Sequence, residues 1–94
     1  MKIDFYQKAR ETEEEIRSYY THLHRYPELS GQEYKTQEWI LGQLKEWKVE
    51  CRPCADTGVY AVIRSGRPGH TVALRADMDA LPVAEQTGFA WQSE

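Results

Sequence analysis

Thr71-Val-Ala-Leu-Arg-Ala-Asp-Met-Asp-Ala-Leu-Pro-Val83 is the stretch on which the reading of the fold turns. Thr71, Val72, Ala73 and Leu74 form a short apolar run preceded by turn residues, which predicts a strand buried on both faces. Asp77 and Asp79 follow at its carboxyl end, where open sheets with helices present ligand-binding groups on the emerging loop. Pro82 cannot donate to a ladder and marks the end of regular pairing.

Working outward, Val59-Tyr-Ala-Val-Ile63 is the strongest β-run, and Ser65-Gly-Arg-Pro-Gly69 closes it with punctuating residues. A loop of that length suits an antiparallel joint to the Thr71 strand rather than a crossover. Val49 to Arg52 predicts a short edge strand limited by Pro53, with Asp56-Thr57-Gly58 as a turn. Further upstream, Phe5, Ala9, Thr12, Ile16, Tyr19 and Leu23 recur at spacings of three and four, one stripe of an amphipathic helix. Asp4 is its expected cap and Pro27 its stop. The acid run Glu11, Glu13, Glu14 and Glu15 is read as a solvated face. Ser30 with Glu33 three residues on predicts a capping box, and Tyr34, Gln37, Ile40, Leu41 and Leu44 carry a second helix to about Lys48. Downstream, Glu85 to Glu94 has no period and is read as loop or frayed end. The expected class is α/β, as an α+β fragment with two N-terminal helices packed on a small mixed sheet of about three strands. A last strand buried on both faces needs more cover than two helices supply, which points to missing chain and to possible self-association through the uncovered sheet.

Composition narrows the function classes. Ninety-four residues with a formal net charge of −3 suit one small domain and offer no basic surface for nucleic acid. No stretch reaches the length of a membrane span, and Met1 to Arg10 carries charges in place of an apolar signal core. Two cysteines are too few for a disulfide-built fold, and a cytoplasmic setting is expected.

Asp77 and Asp79 lie two apart, so a continuing strand points both to one face, whereas on a loop they diverge. Such carboxylates serve as hard-metal ligands, as groups that orient a ligating histidine, or as an acid and base pair; they also cap turns and helices. His22 and His24 share no helical face and are read as structural or solvated. Cys51-Arg-Pro-Cys54 lacks the second half of a zinc site, and it follows a strand instead of opening a helix as a redox motif would. It is read as two unrelated cysteines, with a small metal or redox protein as the weaker option.

The segments Leu23-His-Arg-Tyr-Pro-Glu-Leu-Ser30 and Val72-Ala-Leu-Arg-Ala-Asp-Met-Asp-Ala-Leu-Pro-Val83, followed by Glu85, resemble the start of the M20 metallopeptidase superfamily. More narrowly they resemble its amidohydrolase branch of hippurate hydrolases, N-acyl-amino-acid amidohydrolases and auxin-conjugate hydrolases. Tyr26 stands where that family often has His, and Gly31-Gln32 replaces a commoner aromatic and acid. The resemblance implies that residues 1–94 are the N-terminal portion of a catalytic domain that hydrolyses the amide bond of N-acyl amino acids or small peptides. It implies a two-metal centre of zinc, cobalt, manganese or nickel, whose ligands come from a later Cys-Gly-His segment, a Glu-Glu pair and further histidines. Asp77 takes the place of a metal-binding histidine found in related peptidases, and Asp79 that of the aspartate that orients it. Both are thereby expected in orienting roles only, with no metal ligand and no activity in this chain alone. The alternative is a self-contained binding or structural module with the same partial fold.

Overall fold

A computed structural model describes residues 3–88 and 92–94. It contains α1 (Phe5–Glu11), α2 (Glu13–Arg25), α3 (Tyr34–Glu46), β1 (Glu50–Cys54) and β2 (Gly58–Val62), an α+β architecture. The chain divides into two compact units, one of residues 1–27 with 83–94 and one of residues 28–82.

In the first unit the expected single helix is two. Asp4 caps α1 as predicted, its carboxylate accepting from the Gln7 N–H at 3.1 Å. At Thr12 the hydroxyl bonds back to the Ala9 carbonyl at 3.1 Å and the backbone leaves helical angles. A threonine oxygen competing for those carbonyls bends or interrupts a helix. α2 restarts at once, with Ile16 N–H donating to the Thr12 carbonyl at 2.9 Å. Three of the four acids occupy its first turn, where they face the positive end of the helix dipole. Glu13 also pairs with Arg17 at 3.1 Å. Pro27 ends the helix as expected, Tyr26 being its C-cap.

In the second unit, β1 and β2 form an antiparallel hairpin in which Cys51 opposes Ala61 and Pro53 opposes Val59. The three-residue turn places Ala55 at φ 48° and Asp56 at φ 69°. Pro53 lies within β1, not beyond it, which a proline tolerates on an edge strand. α3 packs on the hairpin, its Leu41 carbonyl 4.0 Å from the Cys51 sulfur. It ends in a Schellman motif. Val49 N–H reaches the Leu44 carbonyl at 2.9 Å, Lys48 N–H reaches Lys45 at 3.0 Å, and Lys48 takes φ 58° where glycine is usual.

The hairpin thus joins β1 to β2, not β2 to the Thr71 segment. Thr71 to Leu74 forms no ladder, and Val72 and Leu74 are 82% and 96% exposed. A strand meant for burial on both faces requires a paired neighbour and covering layers, and none is supplied by the described residues of its unit. Pairing there is reduced to one parallel bridge, Leu29 with Ala80, and the bond from Ala80 N–H to the Glu28 carbonyl at 2.8 Å. Among the described residues the sheet therefore has two strands.

No hydrophobic side chain is fully buried among the described residues; the buried ones are Glu33, Thr36 and Thr57. All three lie where the N-terminus of α3 meets the hairpin turn.

Candidate functional site

Asp77 and Asp79 sit on irregular chain leading into the Ala80 bridge. Exposure alternates along it, both aspartates lying in solvent while Met78 and Ala80 are half-buried. Arg75 holds the Asp77 carboxylate at 3.0 Å, with both side chains largely in water. The anchor for this segment is the main chain of residues 28 and 29, so the two stretches that carry the family resemblance meet at Glu28, Leu29 and Ala80.

Glu28 has a second task that the sequence reading missed. Its carboxylate accepts from Thr36 N–H and Thr36 Oγ1, both at 2.5 Å, and from Lys35 N–H at 3.2 Å. These are first-turn donors of α3, which a helix cannot satisfy internally. Burial pushes the Glu28 carboxyl upward, but the Thr36 hydroxyl, the two backbone N–H groups and the Lys35 charge together hold it below its ordinary value. The expected Ser30–Glu33 capping box is not formed. Glu33 instead turns its carboxylate to the Thr57 hydroxyl in the hairpin turn and to Gly31 N–H at 2.8 Å. The Thr57 bond is the main reason its carboxyl also lies below the ordinary value. Gln37 completes the attachment, its amide donating to the Asp56 and Gly58 carbonyls at 2.9 and 2.8 Å.

His22 and His24 both lie against tyrosine rings. His22 lies against the Tyr26 ring with centroids 5.1 Å apart, and His24 stacks on Tyr20 at 5.8 Å. His24 Nε2 also reaches both oxygens of Glu85 at 3.1 Å. The separation of 61 residues gave no local signal for this pair. Part of the stretch read as loop or frayed end, residues 89–91, lies outside the described residues. Residues 85–88 and 92–94 are irregular yet hydrogen-bonded. Cys51 and Cys54 are free thiols three positions apart on β1, so they point to opposite faces and cannot share a ligand. Among the described residues no three His, Cys, Asp or Glu side chains gather closely enough to hold a metal ion. The donor set here does not fit the two-metal centre that the resemblance implies. What the Asp77–Asp79 segment can do chemically is orient or accept a proton at an open, anionic edge.

No family model matches the chain, and no solved structure matches it. Curated relatives do. The chain is 49% identical over 74 residues to N-acetyl-L-cysteine deacetylase of Bacillus subtilis, covering 78% of this chain and 18% of that protein. It is 44% identical over 88 residues to thermostable carboxypeptidase 1 of Saccharolobus solfataricus, covering 92% of this chain and 22% of that protein. It is 38% identical over 85 residues to the N-acyl-L-amino acid amidohydrolase of Geobacillus stearothermophilus, covering 89% and 23%. The chain thus spans about a fifth of the length of the curated relatives it matches. With the Asp77-Met-Asp79 and His24-to-Ser30 segments in place and these relatives matched across most of its length, the chain belongs to the M20 amidohydrolase family.

Proposed function

We propose that this chain is the N-terminal portion of the catalytic domain of a metal-dependent amidohydrolase that cleaves the amide bond of N-acyl amino acids. The supporting observation is the identity of 38% to 49% with relatives named as a deacetylase of N-acetylcysteine and an N-acyl-amino-acid amidohydrolase. Asp77 and Asp79 act by orienting groups, not as the metal's own ligands. The exposed carboxylate pair suits that role and gathers with no third donor among the described residues. The divalent ions are assigned to donors other than these residues, and the 94-residue chain alone is inactive. The free thiols of Cys51 and Cys54 suit a reducing, cytoplasmic setting. The alternative of a self-contained module is disfavoured by Val72 and Leu74, which such a module would cover.

The test is a chimaera in which this chain replaces the matching segment of the Geobacillus amidohydrolase. The expected result is chelator-sensitive release of amino acid from N-acetyl substrates by the chimaera and none by the chain alone. A folded chimaera without activity, or activity in the isolated chain, overturns the proposal. Asp79→Ala in the active chimaera should lower kcat while leaving the fold intact.

A further inference from the structure

Three separate stretches meet at one carboxylate in the first unit: the last turn of α2, residues 85–88 and residues 92–94. The Glu85 side chain keeps only 15% of its surface. It accepts from His24 Nε2 at 3.1 Å to each oxygen, from Thr87 Oγ1 at 3.1 Å and from Ser93 N–H. Its main-chain carbonyl accepts from the Gln92 amide at 2.7 Å, and Gln92 in turn accepts from Gly88 N–H at 2.8 Å. Ser93 is thereby set so that Glu94 N–H can donate to the Arg25 carbonyl at 2.9 Å. That carbonyl is one of those a helix leaves without an internal partner at its C-terminus.

We propose that the ionised Glu85 carboxylate is an acid-released staple, fastening residues 92–94 to the terminal turn of α2 and letting go of His24, Ser93 and the Glu94–Arg25 bond in one step when it gains a proton.

The chemistry of the neighbours carries this. The Thr87 hydroxyl and Ser93 N–H both donate, and a protonated His24 donates as well. A carboxylate satisfies them all, whereas a carboxylic acid turns one acceptor into a donor facing other donors. The other groups around it do not reverse the sign. From α2 the facing groups are Tyr20, stacked on His24, and Arg25, whose Nε lies 3.8 Å from the Glu94 carboxylate; from the chain end they are Gln92 and Glu94 itself. Ser93 N–H first and His24 second hold the Glu85 carboxyl below its ordinary value against the effect of burial, so the staple is closed at neutral pH. This reading is independent of the proposed activity.

The experiment is a pH titration of the 94-residue chain followed by the backbone amide resonances of Gly88, Ser93 and Glu94, with Tyr26, the C-cap of α2, as the reference. The expected result is that all three move together, with one midpoint below the ordinary carboxylate value, while Tyr26 N–H keeps its protection from exchange. Glu85→Gln should give the acid-state positions already at neutral pH and raise the exchange of the Glu94 amide about tenfold or more. Separate midpoints for Ser93 and Glu94, or no response of either to the titration, overturn the proposal. If Glu85→Gln also unfolds α2, the wild-type titration decides alone.

Discussion

Replacing Glu28 by alanine removes the acceptor for two first-turn N–H groups of α3 and for the Thr36 hydroxyl. Loss of a helix cap costs about 1 kcal/mol within a range of roughly 0.5–2. Withdrawing the negative charge from the positive end of the helix dipole adds about 0.3–1 kcal/mol. Thr36 is 7% exposed, so its hydroxyl loses a partner where water enters only as far as the missing carboxylate leaves room. An unsatisfied buried group costs about 1–3 kcal/mol, and partial access of water puts the figure near the lower end. Allowing for overlap between these effects, Glu28→Ala should destabilise α3 by about 2 kcal/mol. Since about 1.4 kcal/mol is tenfold, hydrogen exchange of amides in the middle of α3, such as Leu41 and Gln43, should quicken by about thirtyfold. Glu28→Gln keeps one carbonyl acceptor and should fall between alanine and wild type. The measurement is residue-resolved exchange by NMR, with the α2 amides of the other unit as the internal standard. Exchange within twofold of wild type in Glu28→Ala, with the fold retained, would refute the claim that this distant carboxylate caps α3.

Thr57→Val removes the hydroxyl from Glu33 and should loosen the hairpin turn, seen as faster exchange at Thr57 and Gly58 with little change in β1 beyond Arg52. Glu28, Glu33 and Glu85 all titrate below their ordinary value when folded, so their contribution is complete above that value and is lost as pH falls through the folded values. Urea midpoints should therefore be flat from neutral pH down to the ordinary carboxylate range and drop below it; a fall beginning near neutrality contradicts this. Lys48→Gly relieves a left-handed residue at φ 58° in the Schellman motif and should stabilise by about 0.5–1 kcal/mol, read as a higher urea midpoint. Serine at both Cys51 and Cys54 should change neither metal content nor the hairpin, by elemental analysis and NMR, because the two thiols face opposite ways.

Local signals were legible where the physics is local. Asp4 caps its helix, Pro27 stops α2 and the apolar spacing of Tyr34 to Leu44 describes α3, because each depends on neighbours within one or two turns. Thr12 shows the limit of periodicity. The stripe from Phe5 to Leu23 runs through it unbroken, yet a hydroxyl bonding to its own preceding turn interrupts the helix. Ser30 and Glu33 show how a correct motif loses to a tertiary competitor. The spacing suits a capping box, but Thr57, 24 residues on, offers Glu33 a buried partner, and Glu28 takes over the cap from outside the usual window. For the candidate site, the two carboxylates after an apolar run were readable, whereas Arg75 beside Asp77, and elsewhere Glu85 beside His24, depend on side-chain choices that no period records.

The strand predicted at Thr71 to Leu74 failed for a reason that bears on what holds its own unit, residues 28–82, in order. Its apolar residues are of the type that forms a central strand, but a strand is a property of its neighbours as much as of its own residues. Here the β-run at Val59 to Val62 found its partner in Glu50 to Cys54, the shorter connection, since a three-residue turn closes at less entropic cost than the longer loop after Ile63. Among the described residues, the Thr71 segment is joined through Ala80 to the main chain of residues 28 and 29. Glu28 also caps α3, so its carbonyl receives the aspartate-bearing segment while its carboxylate holds the helix. Order in this unit is therefore carried by polar contacts between elements more than by a closed apolar core, which is why its three most buried residues are Glu33, Thr36 and Thr57. A change that breaks the Glu28 backbone attachment should free Asp77 and Asp79, whereas one that removes only the carboxylate should disturb α3 and leave the aspartate segment in place.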